Sequence, residues 1–157
     1  MLVEGAAEFG GDDLATVAFA GGENQTIKAG DGLSIHAGFH QKFNADQSML
    51  MGTIGYKFHS TSADNSDVGT SSVPLNLSLS QKLEGNWHVS GGLTYQMNTK
   101  LEGDGFFQDV TFDDSLGFAV GIGYSFFTLS YTNLDIGING DEVDASSIGL
   151  QVSTAFF

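Results

Sequence analysis

Apolar residues recur at every second position along almost the whole chain, and a period of two marks β-strands with two unlike faces rather than helices. Read this way, the sequence divides into alternating runs at 2–10, 32–43, 48–59, 72–83, 86–100, 114–125, 127–137 and 144–157. Most are about nine to fourteen residues long, more than an average soluble strand and enough for a tilted strand to cross a bilayer. A single Pro against 22 Gly, with 11% aromatic residues, suits strands joined by tight turns. No apolar stretch reaches the length of a transmembrane helix. The 157 residues make room for one domain, 1–157, with its own core.

The connectors alternate in length. Asn44–Gln47, Glu84–Gly85 and Ser125–Phe126 are short, whereas 11–31, 60–71, 101–113 and 138–143 are long and acidic. Short turns at one end and long loops at the other are the layout of a transmembrane barrel. Leu14–Phe19 and Thr26–Lys28 alternate again around Gly21-Gly22-Glu23-Asn24, which predicts a small hairpin extending the wall beyond the membrane.

Alternation alone leaves two barrels open: a soluble one with apolar residues inside around a ligand, and a membrane one with apolar residues outside. The opposite face decides between them. Leu33, Ile35, Ala37 and Phe39 oppose Ser34, His36, Gly38 and His40, and Leu75, Leu77 and Leu79 oppose Asn76, Ser78 and Ser80. Leu116, Phe118, Val120 and Ile122 oppose Ser115, Gly117, Ala119 and Gly121. A water-facing wall needs many charges, but only 15% of residues are charged. Small polar residues instead suit the cramped lumen of an eight-stranded barrel. The expected fold is all-β, a closed eight-stranded antiparallel transmembrane β-barrel with short periplasmic turns and long extracellular loops. Tyr56, Phe58, Trp87, Tyr95, Tyr124, Phe126, Phe127 and Tyr131 lie near strand ends, as belts at two membrane interfaces require. Pro74 is expected at a strand start, where a missing donor does least harm.

With these features the chain resembles the small eight-stranded outer-membrane barrels of Gram-negative bacteria, the group of the OmpA membrane domain, OmpX and OmpW-like proteins. The resemblance spans the whole chain and includes the closing run Ile148–Phe157. It implies location in the cell outer membrane, contact with lipid and lipopolysaccharide, and a monomer. It also implies an aromatic signal read by the barrel assembly machinery. Here the alternation of Ile148, Leu150, Val152 and Thr154 runs back from Phe156 rather than Phe157. Met1-Leu2-Val3-Glu4 holds no basic segment followed by an apolar one, so an exported chain is expected to be a mature form.

The lumen face carries Glu4, Glu8, His36, His40, Lys42, Lys57, His59, Lys82, His88 and Lys100. Charges away from water must be paired. Glu4 and Glu8 are expected to pair with Lys42, His40 or Lys82 across the lumen and plug it, with Lys57 and Lys100 at the opposite end. His88-Val89-Ser90 resembles the His-x-Ser element of the outer-membrane lipid A deacylase. The pair faces the lumen, however, and no acid is placed to orient the histidine. No catalytic site, cofactor or metal is assigned.

Five Lys and no Arg against 19 acidic residues give a net charge of −14, which excludes a phosphate-tracking nucleic-acid partner. Without Cys there are no disulfides and no thiolate sites. Asp12-Asp13, Asp113-Asp114 and Asp141–Asp144 make the loops candidate collectors of divalent cations, although no twelve-residue calcium loop is present. Phe106, Phe107 and Phe112, with Val110, form an apolar loop patch. The function expected is a structural or surface barrel, not an enzyme, with a polar plugged lumen, aiding passage of small hydrophobic molecules. The alternatives are an adhesion or partner-binding barrel presenting acidic loops, and a soluble lipid-carrying barrel.

Overall fold

The computed structural model describes residues 1–18, 24–63, 66–103, 108–138, 140–155 and 157. Its strands are β1 (Leu2–Phe9), β2 (Asp13–Ala18), β3 (Asn24–Lys28), β4 (Gly32–Phe43), β5 (Ser48–Ala63), β6 (Ser66–Lys82) and β7 (Trp87–Glu102). They continue as β8 (Val110–Thr111), β9 (Ser115–Tyr124), β10 (Phe127–Asn133), β11 (Asp135–Ile138), β12 (Asp141–Asp144) and β13 (Ser147–Ser153). Eight of them close a cylinder in the order β6-β5-β4-β1-β13-β10-β9-β7, with β7 returning to β6. Every pairing is antiparallel. Closure leaves no sheet edge facing hydrocarbon, which offers no partner to a bare amide.

The wall is apolar outside. Leu77 is 50% exposed, Ile122 48% and Leu150 51%, within a continuous band of Leu, Ile, Val and Phe. In water such a band would far exceed the largest apolar patch a soluble monomer tolerates, so it faces acyl chains. Trp87 packs edge-on against Tyr124 at 5.3 Å and Phe126 against Phe127 at 4.4 Å beside the short turns, forming one aromatic girdle. The tight turns rest on left-handed backbone at Asn44 (φ 54°), Asp46 (φ 63°) and Ser125 (φ 56°).

Several expectations need correction. The connector 60–71 is mostly strand, because β5 and β6 continue as a hairpin above the membrane band. The predicted hairpin forms as β2–β3, but it is a separate sheet rather than a continuation of the wall. The run 127–137 leaves the barrel after Asn133, and β11 pairs with β12 instead. Pro74 lies inside β6, not at its start. The β5–β6 ladder is interrupted there, passing from Ile54↔Leu75 to Lys57↔Ser72 as a residue without an N–H requires, while Pro74 keeps its place opposite Gln96 of β7. Finally, β7 carries a bulge: Val73 faces Met97 but Ser71 faces Lys100. The extra residue reverses the faces beyond it, so Thr99 and Leu101 are buried while Lys100 is exposed, outside the lumen.

The long loops do not simply spread into solvent. Ile27, Ala29, Val68, Leu101, Phe112, Leu134, Ile136 and Ala145 meet in a second apolar core above the barrel. Phe112 of the expected loop patch is buried in it, at 5% exposure. Phe106 and Phe107 lie outside the described residues. At the turn end, Leu2, Met49 and Ala155 cluster inside the lumen with Met51 and Phe157.

Candidate functional site

Between these two apolar clusters the lumen is lined largely by Ser, Thr, Asn, Gln, His and carboxylate side chains, β9 adding only Ala119 and Val120, around a cavity of about 90 Å³. That volume has room for a few waters. At the loop end, Lys57 Nζ lies 2.7 Å from Glu8 Oε2 and donates to the Gly30 carbonyl at 2.8 Å. The partner of Glu8 is therefore Lys57, not Lys42, His40 or Lys82. Axial level explains the difference: Glu8 aligns with Gly32 and Lys57 with Ser34, whereas Lys42 and Lys82 lie at the turn end.

Glu4, at the level of His36 and Ser153, lines the same cavity without meeting those lysines. His36 is buried. Asn76 Nδ2 donates to its Nδ1 at 3.4 Å, which leaves the proton on Nε2 to be donated to Ser34 Oγ at 2.9 Å. His88 Nε2 lies 3.0 Å from Thr128 Oγ1, so the histidine is engaged by threonine rather than Ser90. Nδ1 of His40 and of His88 is buried with no partner among the described residues. Phe157 faces inward, 5.9 Å from both the His88 ring and Lys42 Nζ, and Phe156 lies outside the described residues. Lys82 is half-buried at the turn end, away from both glutamates.

Above Glu8 three chain segments are tied together by hydrogen bonds. Gly30 N–H donates to Gly10 O at 3.0 Å, Gly10 N–H to Asp31 Oδ1 at 2.8 Å, and Asp12 N–H to Asp144 O at 2.7 Å. A Cβ on Gly30 would meet Ser146 O at 2.6 Å and Gly10 O at 2.8 Å. Glycine is needed here because three chain segments touch directly.

A second concavity, of about 690 Å³, opens in the cap. Leu14, Leu101, Val110, Phe112, Ile138 and Val143 line it, with Asp12, Asp13 and Lys28 also contributing. Of the residues anticipated for an apolar loop site, Val110 and Phe112 are there. Sequence reasoning missed Leu14, Ile138 and Val143, which come from hairpins far apart in the chain. Alternation within 135–144 was the only hint of the second hairpin.

The sequence matches no protein-family model and no curated protein. Among solved structures, the Neisserial surface protein A superposes with a TM-score of 0.56 at 13% identity, covering 99% of this chain and 95% of that one. Ail, the attachment invasion locus protein of Yersinia pestis, gives 0.48 at 12% identity, covering 97% and 95%. The chain thus has the fold of the eight-stranded outer-membrane β-barrels, with an apolar belt suited to a lipid bilayer.

Proposed function

We propose that the protein is a non-enzymatic surface barrel whose lumen stays closed and whose loops display a folded acidic cap. What supports this reading is the packing at both ends of the lumen. The Glu8–Lys57–Gly30 contacts lie beneath the cap core, and Leu2, Met49 and Ala155 fill the turn end. A lumen blocked at two levels, with a cavity of about 90 Å³ between them, suits a scaffold better than a conduit. The engagement of His88 by Thr128 favours a structural role for that histidine over a catalytic one. On this reading the barrel is a monomer bounded by lipid and lipopolysaccharide, and Phe156 or Phe157 serves recognition by the assembly machinery. Purified protein inserted in a planar bilayer is expected to give no conductance steps; steady single-channel currents would refute the closed lumen.

A second reading, a partner-binding surface, is favoured by β2–β3 and β11–β12. Neither hairpin pairs with the barrel sheet, and β12 carries Asp141, Glu142 and Asp144. The OmpW-like reading, passage of small hydrophobic molecules, would need an apolar site outside the membrane, and the cap cleft is the place for it.

A further inference from the structure

We propose that the cap cleft binds a small hydrophobic cation. This goes beyond the surface role, because it assigns a site and a ligand chemistry, and it does not depend on whether the lumen conducts. The cleft measures about 690 Å³, within the range of pockets that hold drug-sized molecules. Its floor is packed: Leu101 and Phe112 belong to the cap core and are 6% and 5% exposed. Its walls are Leu14, Val110, Ile138 and Val143, which pack on that core yet remain only partly buried. These side chains give up burial that an apolar guest would supply, at roughly 25 cal/mol per Å² covered.

Charge selects the guest. Among the described residues that line the cleft, the ionic groups are Asp12, Asp13 and Lys28, two negative charges against one positive. Lys28 is already matched by Asp13 at 3.6 Å, which leaves Asp12 in excess. Asp12 Oδ2 accepts from Asp144 N–H at 3.2 Å, so its carboxylate is held in place. Val143 stands between Glu142 and Asp144 on β12. The local field is negative, as for a chain of net charge −14. A fatty acid or anionic lipid would bring like charge to this rim, whereas an aryl or alkyl ammonium buries its apolar body and leaves its head among carboxylates.

The test uses the full chain in lipid nanodiscs and follows amide shifts on titration with 4-phenylbutyltrimethylammonium, neutral 4-phenylbutanol and anionic 5-phenylpentanoate. Saturable shifts confined to Leu14, Val110, Ile138 and Val143 are expected, with the cation bound about tenfold more tightly than the alcohol and the anion weakest. Val143→Trp fills the cleft and should abolish the shifts. Asp13→Asn, on an exposed side chain, should weaken the cation without changing the alcohol, which keeps the test decisive if the tryptophan disturbs the cap. Equal affinities for the three probes, no saturable shift, or shifts along the Leu77 and Ile122 belt from partitioning into lipid would each overturn the proposal.

Discussion

Lys57 on β5 reaches Glu8 on β1 across the whole width of β4, and Gly32 is the residue it passes over. Its Nζ lies 2.7 Å from Glu8 Oε2, and a Cβ on Gly32 would stand 2.8 Å from Lys57 Cε. The lysine also holds the Gly30 carbonyl, so one ammonium ties the wall to the loop above it. With side chains only 9% and 15% exposed, neither charge can turn to bulk water when the other is lost. Lys57→Met should therefore cost about 3–5 kcal/mol, and the Glu8→Gln, Lys57→Met double variant clearly less, because no orphan carboxylate remains. Urea unfolding from liposomes measures both; a double variant as unstable as the single would disprove the pairing energetics.

Gly30 offers a steric test of the same junction. Alanine there places a methyl against the carbonyls of Ser146 and Gly10, and backbone cannot step aside as a side chain tip can. About 1–3 kcal/mol should be lost, with faster hydrogen exchange at the Gly30 and Asp12 amides. Gly91→Ala is the control, since the nearest atom to its added Cβ is Ala119 O at 4.0 Å. It should leave the melting temperature almost unchanged.

The barrel was legible in the sequence because its signal is local. Each strand repeats the same two-residue pattern, and the lipid side needs no knowledge of its neighbours. The cap core was not, because Ile27, Val68, Leu101, Leu134 and Ala145 come from widely separated parts of the chain and mean nothing until they meet. The ion pair lay between: Glu8 and Lys57 were both recognised as lumen residues, but the partner depends on axial level. Counting Glu8 and Lys57 each toward the long-loop end of its strand would have matched them. The β7 bulge left only a faint mark, an Asn at position 98, a residue type that tolerates the φ of 51° found there.

Membrane depth makes the outer face testable. Leu77 aligns with Gly52 and Leu93, in the middle of the wall, while Phe43 ends β4 beside a short turn. Leu77→Arg should destabilise the barrel by about 2–4 kcal/mol and Phe43→Arg by no more than about 1. A spin label at Leu77 should be accessible to oxygen and shielded from a water-soluble relaxant; the opposite pattern would turn the barrel inside out.

The bulge in β7 can be removed by a single deletion. Asp114 holds it through Asn98 N–H at 3.1 Å and the Tyr95 hydroxyl at 3.3 Å. Deleting Asn98 takes out the extra residue and leaves a regular ladder in which Thr99 and Leu101 still point inward and Lys100 outward. The expected result is a barrel that still inserts, with protection kept in β9 and β10 and around Phe112; lost protection around Phe112 would show that the cap core needs the bulge itself. Asp114→Ala, which removes only the two hydrogen bonds, should cost about 1 kcal/mol.

Asp144 gives the cap a pH dependence of predictable sign. Its Oδ1 accepts from Ser146 N–H at 2.7 Å, and this bonding with Ser146 holds the carboxyl below its ordinary value of 3.8. A carboxyl depressed in the folded state stabilises it above the unfolded value, and the contribution disappears as pH falls through the folded one. The cap should therefore loosen from about pH 4 downward, with amide shifts at Ser146, Asp12 and Ala145 moving together while the β5–β6 ladder stays fixed. The effect is small, because the carboxylate is exposed and solvent screens it. Asp144→Asn should flatten this step in a titration of the Ser146 amide. A step of the same size in the variant would assign it to another loop carboxylate.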